Sequence, residues 1–171
     1  PKALFDEHLA SAITTFRAIN PDIIAFQEID IASKRSYNVN QLDALAQALG
    51  LANAGLAINW NKNYVPFPYW PISAHFGKIV SGQALLSRYP IAENQRTVLE
   101  KVASRPFFYN AVYLDRLAQI TKVTINGRSL VVINVHLEAF DNPTRFSQTR
   151  AVREMAETYA QDYPVVLVGD F

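Results

Sequence analysis

Residues 119–137 read QITKVTINGRSLVVINVHL, and the fold is decided there. Two runs rich in Val, Ile and Thr flank Asn126-Gly127, the dipeptide that most readily supplies the positive φ angles of a two-residue type I′ turn. The spacing predicts a β-hairpin whose second arm ends in a polar side chain, His136. Toward the C-terminus, Asn142 and Pro143 open a helix, since proline at the first helical turn forfeits no hydrogen bond. Val152, Met155, Ala156 and Tyr159 fall on its inner face, and PVVLV (164–168) returns as a buried strand that runs into Gly169 and Asp170.

Toward the N-terminus the same periods alternate. Phe5, Leu9, Ala12, Ile13 and Phe16 share one face at helical spacing, and NPDIIAF (20–26) supplies a turn and a short buried strand. Asn40 is placed to cap QLDALAQAL (41–49), where Leu42, Leu45 and Leu49 form the apolar stripe and Gly50 ends it. Residues 59–71, NWNKNYVPFPYWP, mix aromatics with three prolines and show no steady period; they read as a long surface loop or an edge excursion. SGQALLSRYPI (81–91) reads as a glycine turn, a brief strand and an end enforced by proline. There are no repeats, low-complexity tracts or linkers, so residues 1–171 read as one α/β domain.

Composition narrows the function classes. Half of the 171 residues are apolar, enough for one substantial core. Sixteen basic against fifteen acidic side chains leave a net charge of +1, which gives no global pull toward nucleic acid or anionic membrane. The absence of cysteine excludes disulfides and zinc-thiolate sites, and no run approaches the ~18 apolar residues of a membrane-spanning helix. The compartment stays open, exported, periplasmic or cytoplasmic. PKALFDEHL has neither an initiator Met nor an apolar signal core, and the expectation is that sequence before it is missing.

Three of these strands end in a side chain that burial alone would not select: Glu28, His136 and Asp170. In open α/β sheets the carboxyl ends of strands frame the ligand crevice, so two carboxylates and an imidazole placed this way can share one site. Two oxygen donors suit a hard cation, Mg²⁺ or alternatively Mn²⁺ or Ca²⁺, and a single His is too few for a zinc set. A phosphate ester is the natural substrate for such an ion. Each residue has a plainer reading: Glu28 as a solvated strand-end residue, Asp170 as a turn cap, His136 as a half-buried structural histidine, Arg88 as a surface charge rather than a phosphate clamp. His8 and His75 read as structural. Trp60, Tyr64, Phe67, Tyr69 and Trp70 stack on bases, rest at a lipid interface or cover the core.

At these residues the sequence resembles the endonuclease/exonuclease/phosphatase superfamily, which includes type I deoxyribonuclease-like, exonuclease III-like and sphingomyelinase-like enzymes. PDIIAFQEID matches its Q-E block, SGQALLSRYPI its S-[RK]-x-P-I block, VVINVHLEA its N-[TV]-H-L block, RFSQTRAVREM the R-x-x-Q helix, and PVVLVGDF the start of its G-D-[FL]-N block, all in family order. The resemblance implies a two-sheet β-sandwich core flanked by helices, a four-layer α/β/β/α architecture incomplete at both ends. It implies a divalent-metal-dependent phosphoesterase cleaving a phosphodiester or phosphomonoester. Glu28 is then the metal ligand, His136 the group at the scissile phosphate, Asp170 the acid that orients or deprotonates the attacking water, and Arg88 a substrate-backbone contact. Gln83 takes no role. Two departures are expected to matter: the family's first-strand Asn and terminal Asp-His pair have no counterpart here, so these 171 residues alone are expected to be inactive. The alternative is a catalytically inactive phosphate-binding module of the same fold. DNA, a phospholipid headgroup and a sugar phosphate all remain open as substrate, and nothing points to an oligomer.

Overall fold

In the computed structural model residues 1–171 are described, apart from the side chains of Phe107, Phe108 and Asn110. Seven strands form two sheets. The first comprises β1 (Ile23–Asp30), β2 (Asn53–Val65) and β3 (Gly77–Ser87) in the order β1-β3-β2, all antiparallel. The second comprises β4 (Ile91–Val98), β5 (Leu117–Ile125), β6 (Arg128–His136) and β7 (Val165–Asp170) in that spatial order, with only β6 and β7 parallel. Helices α1 (Lys2–Ile19) and α2 (Gln41–Leu49) lie on the first sheet. The short α3 (Phe107–Val112) precedes β5, and α4 (Asn142–Tyr159) lies on the second sheet.

Local chemistry explains most boundaries. Asn126 and Gly127 adopt φ of 50° and 77°, so the β5–β6 hairpin closes in two residues as the dipeptide requires. Asn40 caps α2 by accepting a hydrogen bond from the Asp43 N–H at 3.1 Å, and Gly50 ends it at φ 65°. Helix α4 opens at Asn142 and Pro143 as read, and Asp141 caps it, accepting from the Thr144 N–H at 2.9 Å.

Apolar packing builds four layers. Ile24, Leu42, Leu45 and Leu86 seal the first sheet against α1 and α2, where Phe16 meets Phe26 edge to face at 5.7 Å. Ile133, Val135, Val152 and Leu137 seal the second sheet against α4, with Met155, Ala156 and Tyr159 packed at the margin as their spacing predicts. Between the sheets, Leu85, Val123 and Val132 fill only the hairpin end.

The middle of that inter-sheet space is polar. The Asn134 amide accepts from Gln27 Nε2 at 2.6 Å and donates to the Phe26 carbonyl at 2.9 Å and to Gln119 Oε1 at 3.2 Å. Gln83 Nε2 donates to the Asn134 carbonyl at 2.7 Å, and Gln119 Nε2 donates to Gly55 O and Asn94 Oδ1. Gln83, Gln119 and Asn134 are all fully buried. Amides from both sheets therefore join in one network, each satisfying a neighbour that burial would otherwise leave unpaired.

Three sequence expectations change. Residues 59–65 are strand, not loop, because β2 and β3 pair in a long ribbon (Lys62 opposite Ile79, Val65 opposite Gly77) that overrides the mixed local pattern; only residues 66–76 connect them. Gly82 lies inside β3 rather than in a turn. The strand read as buried, β7, is the edge of its sheet, with Val166 and Leu167 exposed. The polar strand β4, IAENQRTV, carried no recognisable alternation and forms at the other edge.

Removing the Asn134 amide leaves Gln27, Gln119 and the Phe26 carbonyl short of partners, and each buried orphan costs ~1–3 kcal/mol. Asn134→Ala is therefore expected to lower the unfolding free energy by about 3 kcal/mol in urea denaturation. A loss under about 1 kcal/mol would show that the network does not hold the sheets together.

Candidate active site

Glu28 sits where β1 leaves its regular register with β3, between Phe26 and Ile29, and its backbone is left-handed at φ 55°. A glutamate has no intrinsic preference for that conformation, and the bulge turns its side chain out to solvent at the strand end. His136 ends β6, paired with Leu117 on one side and with Asp170 of β7 on the other. Gly169 sets the position of Asp170: at φ 136°, a side chain there would bring its Cβ within 2.0 Å of the Val135 carbonyl oxygen. Only glycine lets β7 come this close to β6.

The three side chains meet at one atom. Glu28 Oε1 and Asp170 Oδ2 each lie 3.8 Å from His136 Nε2. The carboxylates are largely exposed and the imidazole is buried. Among the described residues, neither carboxylate has another ion-pair partner, so their oxygens remain open to an incoming group.

Beneath the imidazole is a buried ionic array that the sequence reading missed. Arg116 Nη1 hydrogen-bonds His136 Nε2, Arg116 Nη2 donates to Tyr113 Oη at 2.8 Å, and Arg116 Nε lies 3.6 Å from Glu138 Oε2. Arg105 adds a second guanidinium 3.5 Å from Glu138 Oε1 and lies over the Tyr109 ring. Because arginine can only donate, His136 accepts at Nε2 and its neutral ring carries the proton on Nδ1, which has no partner in the buried interior. Burial, and after it the Arg116 charge, hold the imidazole below its ordinary pKa against the pull of Glu28, Asp170 and Glu138.

The segment after His136 is fastened by α4. The Glu138 N–H donates to Gln148 Oε1 at 2.8 Å, and Arg145 Nη1 donates to the Glu138 and Ala139 carbonyls at 3.1 and 3.0 Å. This is the structural work of the R-x-x-Q spacing.

A model of the endonuclease/exonuclease/phosphatase family matches residues 3–171. This chain belongs to that family. Solved structures with the same fold include a humanized D. rerio TDP2 (16% identity, TM-score 0.64, 97% of this chain and 58% of that one). The human Nocturnin catalytic domain with bound sulfate is similar at 18% identity and a TM-score of 0.62, over 96% of this chain and 56% of that one. A Bacteroides thetaiotaomicron mannosyl-6-phosphatase gives 15% and 0.64, over 97% and 57%. The chain thus spans little more than half the length of each. No curated protein sequence matches significantly.

Within this family fold, the other residues singled out from sequence fall elsewhere. Arg88 lies apart from the other three: it follows Ser87, which pairs with Ile23 at the start of β1, the end of the sheet away from Glu28. There it binds Asp22 at 2.8 Å and Asn20 at 3.0 Å, tying the α1–β1 turn to β3. His8 is exposed on α1 and His75 contacts Tyr64 in the β2–β3 connection. Register was the one signal that could have found Arg116: it immediately precedes Leu117, the partner of His136.

Depression of the His136 pKa fixes the sign of a stability effect. The unfolded chain takes up a proton near pH 6.5 that the folded chain resists, so the contribution is complete above pH 6.5 and is lost as pH falls through the lower folded value. Thermal unfolding in chelator should show Tm dropping below pH 6.5, and His136→Gln should flatten that drop. Parallel profiles for the two proteins would contradict the buried, neutral assignment.

Proposed function

We propose that the protein is a divalent-metal-dependent phosphoesterase whose reacting centre is Glu28, His136 and Asp170. The observation that carries this reading is the convergence of two unencumbered carboxylates on one buried imidazole from three separate strands. Membership of the endonuclease/exonuclease/phosphatase family supports it.

The donor chemistry fits a hard cation. Two guanidiniums, Arg105 and Arg116, face three carboxylates, Glu28, Glu138 and Asp170, which leaves the cluster with excess negative charge when His136 is neutral. Among the described residues no three His, Cys, Asp or Glu side chains are arranged to enclose a metal ion by themselves. This suits an ion such as Mg²⁺, which is commonly held by one or two carboxylates and completed by water and substrate oxygens. Glu28 would hold the ion, which when bound polarises a phosphoryl oxygen.

The chain's own residues then divide the work. Asp170 accepts a proton from, or aligns, the attacking water; its position is fixed by Gly169 and by the Leu137 N–H, which donates to the Asp170 carbonyl at 2.9 Å. His136 faces the phosphate and is held in orientation by Arg116. Arg116 is already desolvated and ion-paired, so it stands ready with positive charge beside an anionic transition state and needs little reorganisation.

In the whole protein, Glu28→Gln or Asp170→Asn should each lower Mg²⁺-dependent hydrolysis of bis-p-nitrophenyl phosphate by at least ~100-fold while leaving the unfolding midpoint within a few degrees. Arg88→Ala should leave turnover unchanged. Near-normal rates in either carboxylate variant would refute the assignment.

A further inference from the structure

Four exposed apolar side chains crowd one short segment of the surface. The β2–β3 connection, residues 66–76, carries Phe67, Tyr69, Trp70 and Ile72 outward, with Tyr69 77% and Trp70 79% accessible. Its root is well packed: Phe67 meets Tyr69 and Phe76 edge to face at 6.0 and 5.5 Å, Phe76 meets Trp60 at 6.3 Å, and the Arg35 guanidinium lies over Trp60 and Phe76. The tip residues are thus held outward on an anchored base, and burying them in a partner phase costs little ordering.

Position and charge narrow the partner. β1 pairs Ile29 with Gly82 of β3, whereas the connection leaves β3 at Gly77, five residues farther in the same direction, or roughly 17 Å at the rise of a strand. The aromatic tip therefore projects past the end of the molecule that carries Glu28. Phe140, four residues beyond His136, is also highly exposed. From residue 44 to residue 92 there is no Asp or Glu. Lys62 and Lys78 flank the connection in β2 and β3, and the Lys34 stem lies against Gly77 at its root.

Contiguous exposed apolar surface of this kind marks an interaction site. Trp and Tyr favour the polar–apolar boundary of a bilayer, and lysines beside it favour anionic headgroups. Tyr69 and Trp70 offer flat faces to bases, but a nucleic acid also needs a line of basic residues along its backbone, and residues 66–76 carry no Lys or Arg. We propose that residues 66–76 form a wedge that seats the protein on a lipid bilayer carrying anionic headgroups, and, resting on the phosphoesterase reading above, that the site acts on the phosphate ester of a membrane lipid.

The test reads docking without turnover. Cosedimentation of the whole protein with phosphatidylcholine vesicles, with and without phosphatidylglycerol, should show binding that is at least about tenfold tighter when phosphatidylglycerol is present. A blue shift of tryptophan emission should accompany it in the wild type and be absent from Trp70→Ser. The triple variant Tyr69→Ser/Trp70→Ser/Ile72→Ser should lose binding at least about tenfold on both vesicles while hydrolysing soluble bis-p-nitrophenyl phosphate at the wild-type rate. Lys62→Glu/Lys78→Glu should weaken binding only where phosphatidylglycerol is present. A protein that hydrolyses the soluble ester but ignores vesicles overturns the docking proposal. One that docks but never hydrolyses leaves docking standing and defeats the enzymatic reading. Tight binding of single-stranded DNA that the triple variant abolishes assigns the wedge to nucleic acid and overturns the lipid proposal.

Discussion

The space between the two sheets is bridged by hydrogen-bonded amides where most sandwiches are oily, and the candidate site depends on that. Asn134 alone contacts β1, through Gln27 and the Phe26 carbonyl, and β5, through Gln119. An amide network tolerates little sliding, because a shift of an ångström breaks several bonds at once. An apolar seam such as Leu85, Val123 and Val132 would permit it at modest cost. The polar layer thus fixes how β1 sits over β6, and that alignment places Glu28 over His136.

Along the strands the inter-sheet space changes character, from apolar at the hairpin end, through amides in the middle, to ions at the rim. Each step admits groups harder to desolvate, and the amides and the ions find their partners chiefly within their own layer. The backbone pays for the final step locally: a left-handed glutamate at the β1 bulge and a glycine that no other residue can replace beside Val135. Such departures from regular strand geometry gather where a side chain must be re-aimed.

Legibility followed the range of the interactions involved. The Asn126-Gly127 hairpin, the capped α2 and the inner face of α4 depend on residues close in sequence, and all were readable. The four-layer architecture came from the family motifs rather than from periodicity. What stayed hidden depends on pairing across the chain: β2 continues to Val65 because β3 offers it a ladder, β4 forms at an edge despite its polar sequence, and β7 is exposed because of its place in the sheet order. The candidate site divides in the same way. Glu28, His136 and Asp170 each end an apolar run and announce themselves, whereas Arg116 shows only through its register with His136, and Arg88, which matched a motif, lies at the far end of β1.

The array under His136 explains why one histidine between two carboxylates stays neutral. Left to Glu28 and Asp170 alone, the imidazole would be drawn toward protonation, and an imidazolium would neutralise the very oxygens that a cation needs. Burial and Arg116 oppose that pull, and Glu138 makes the buried guanidinium tolerable by sharing its charge with Arg105. The positive charge is thereby moved one layer down, from a group that could titrate to one that cannot. The histidine keeps the Nε2 lone pair that accepts from Arg116, and with it an orientation, instead of a second proton. An arrangement of ions two layers deep, rather than Glu28, His136 and Asp170 alone, therefore sets the charge at the rim.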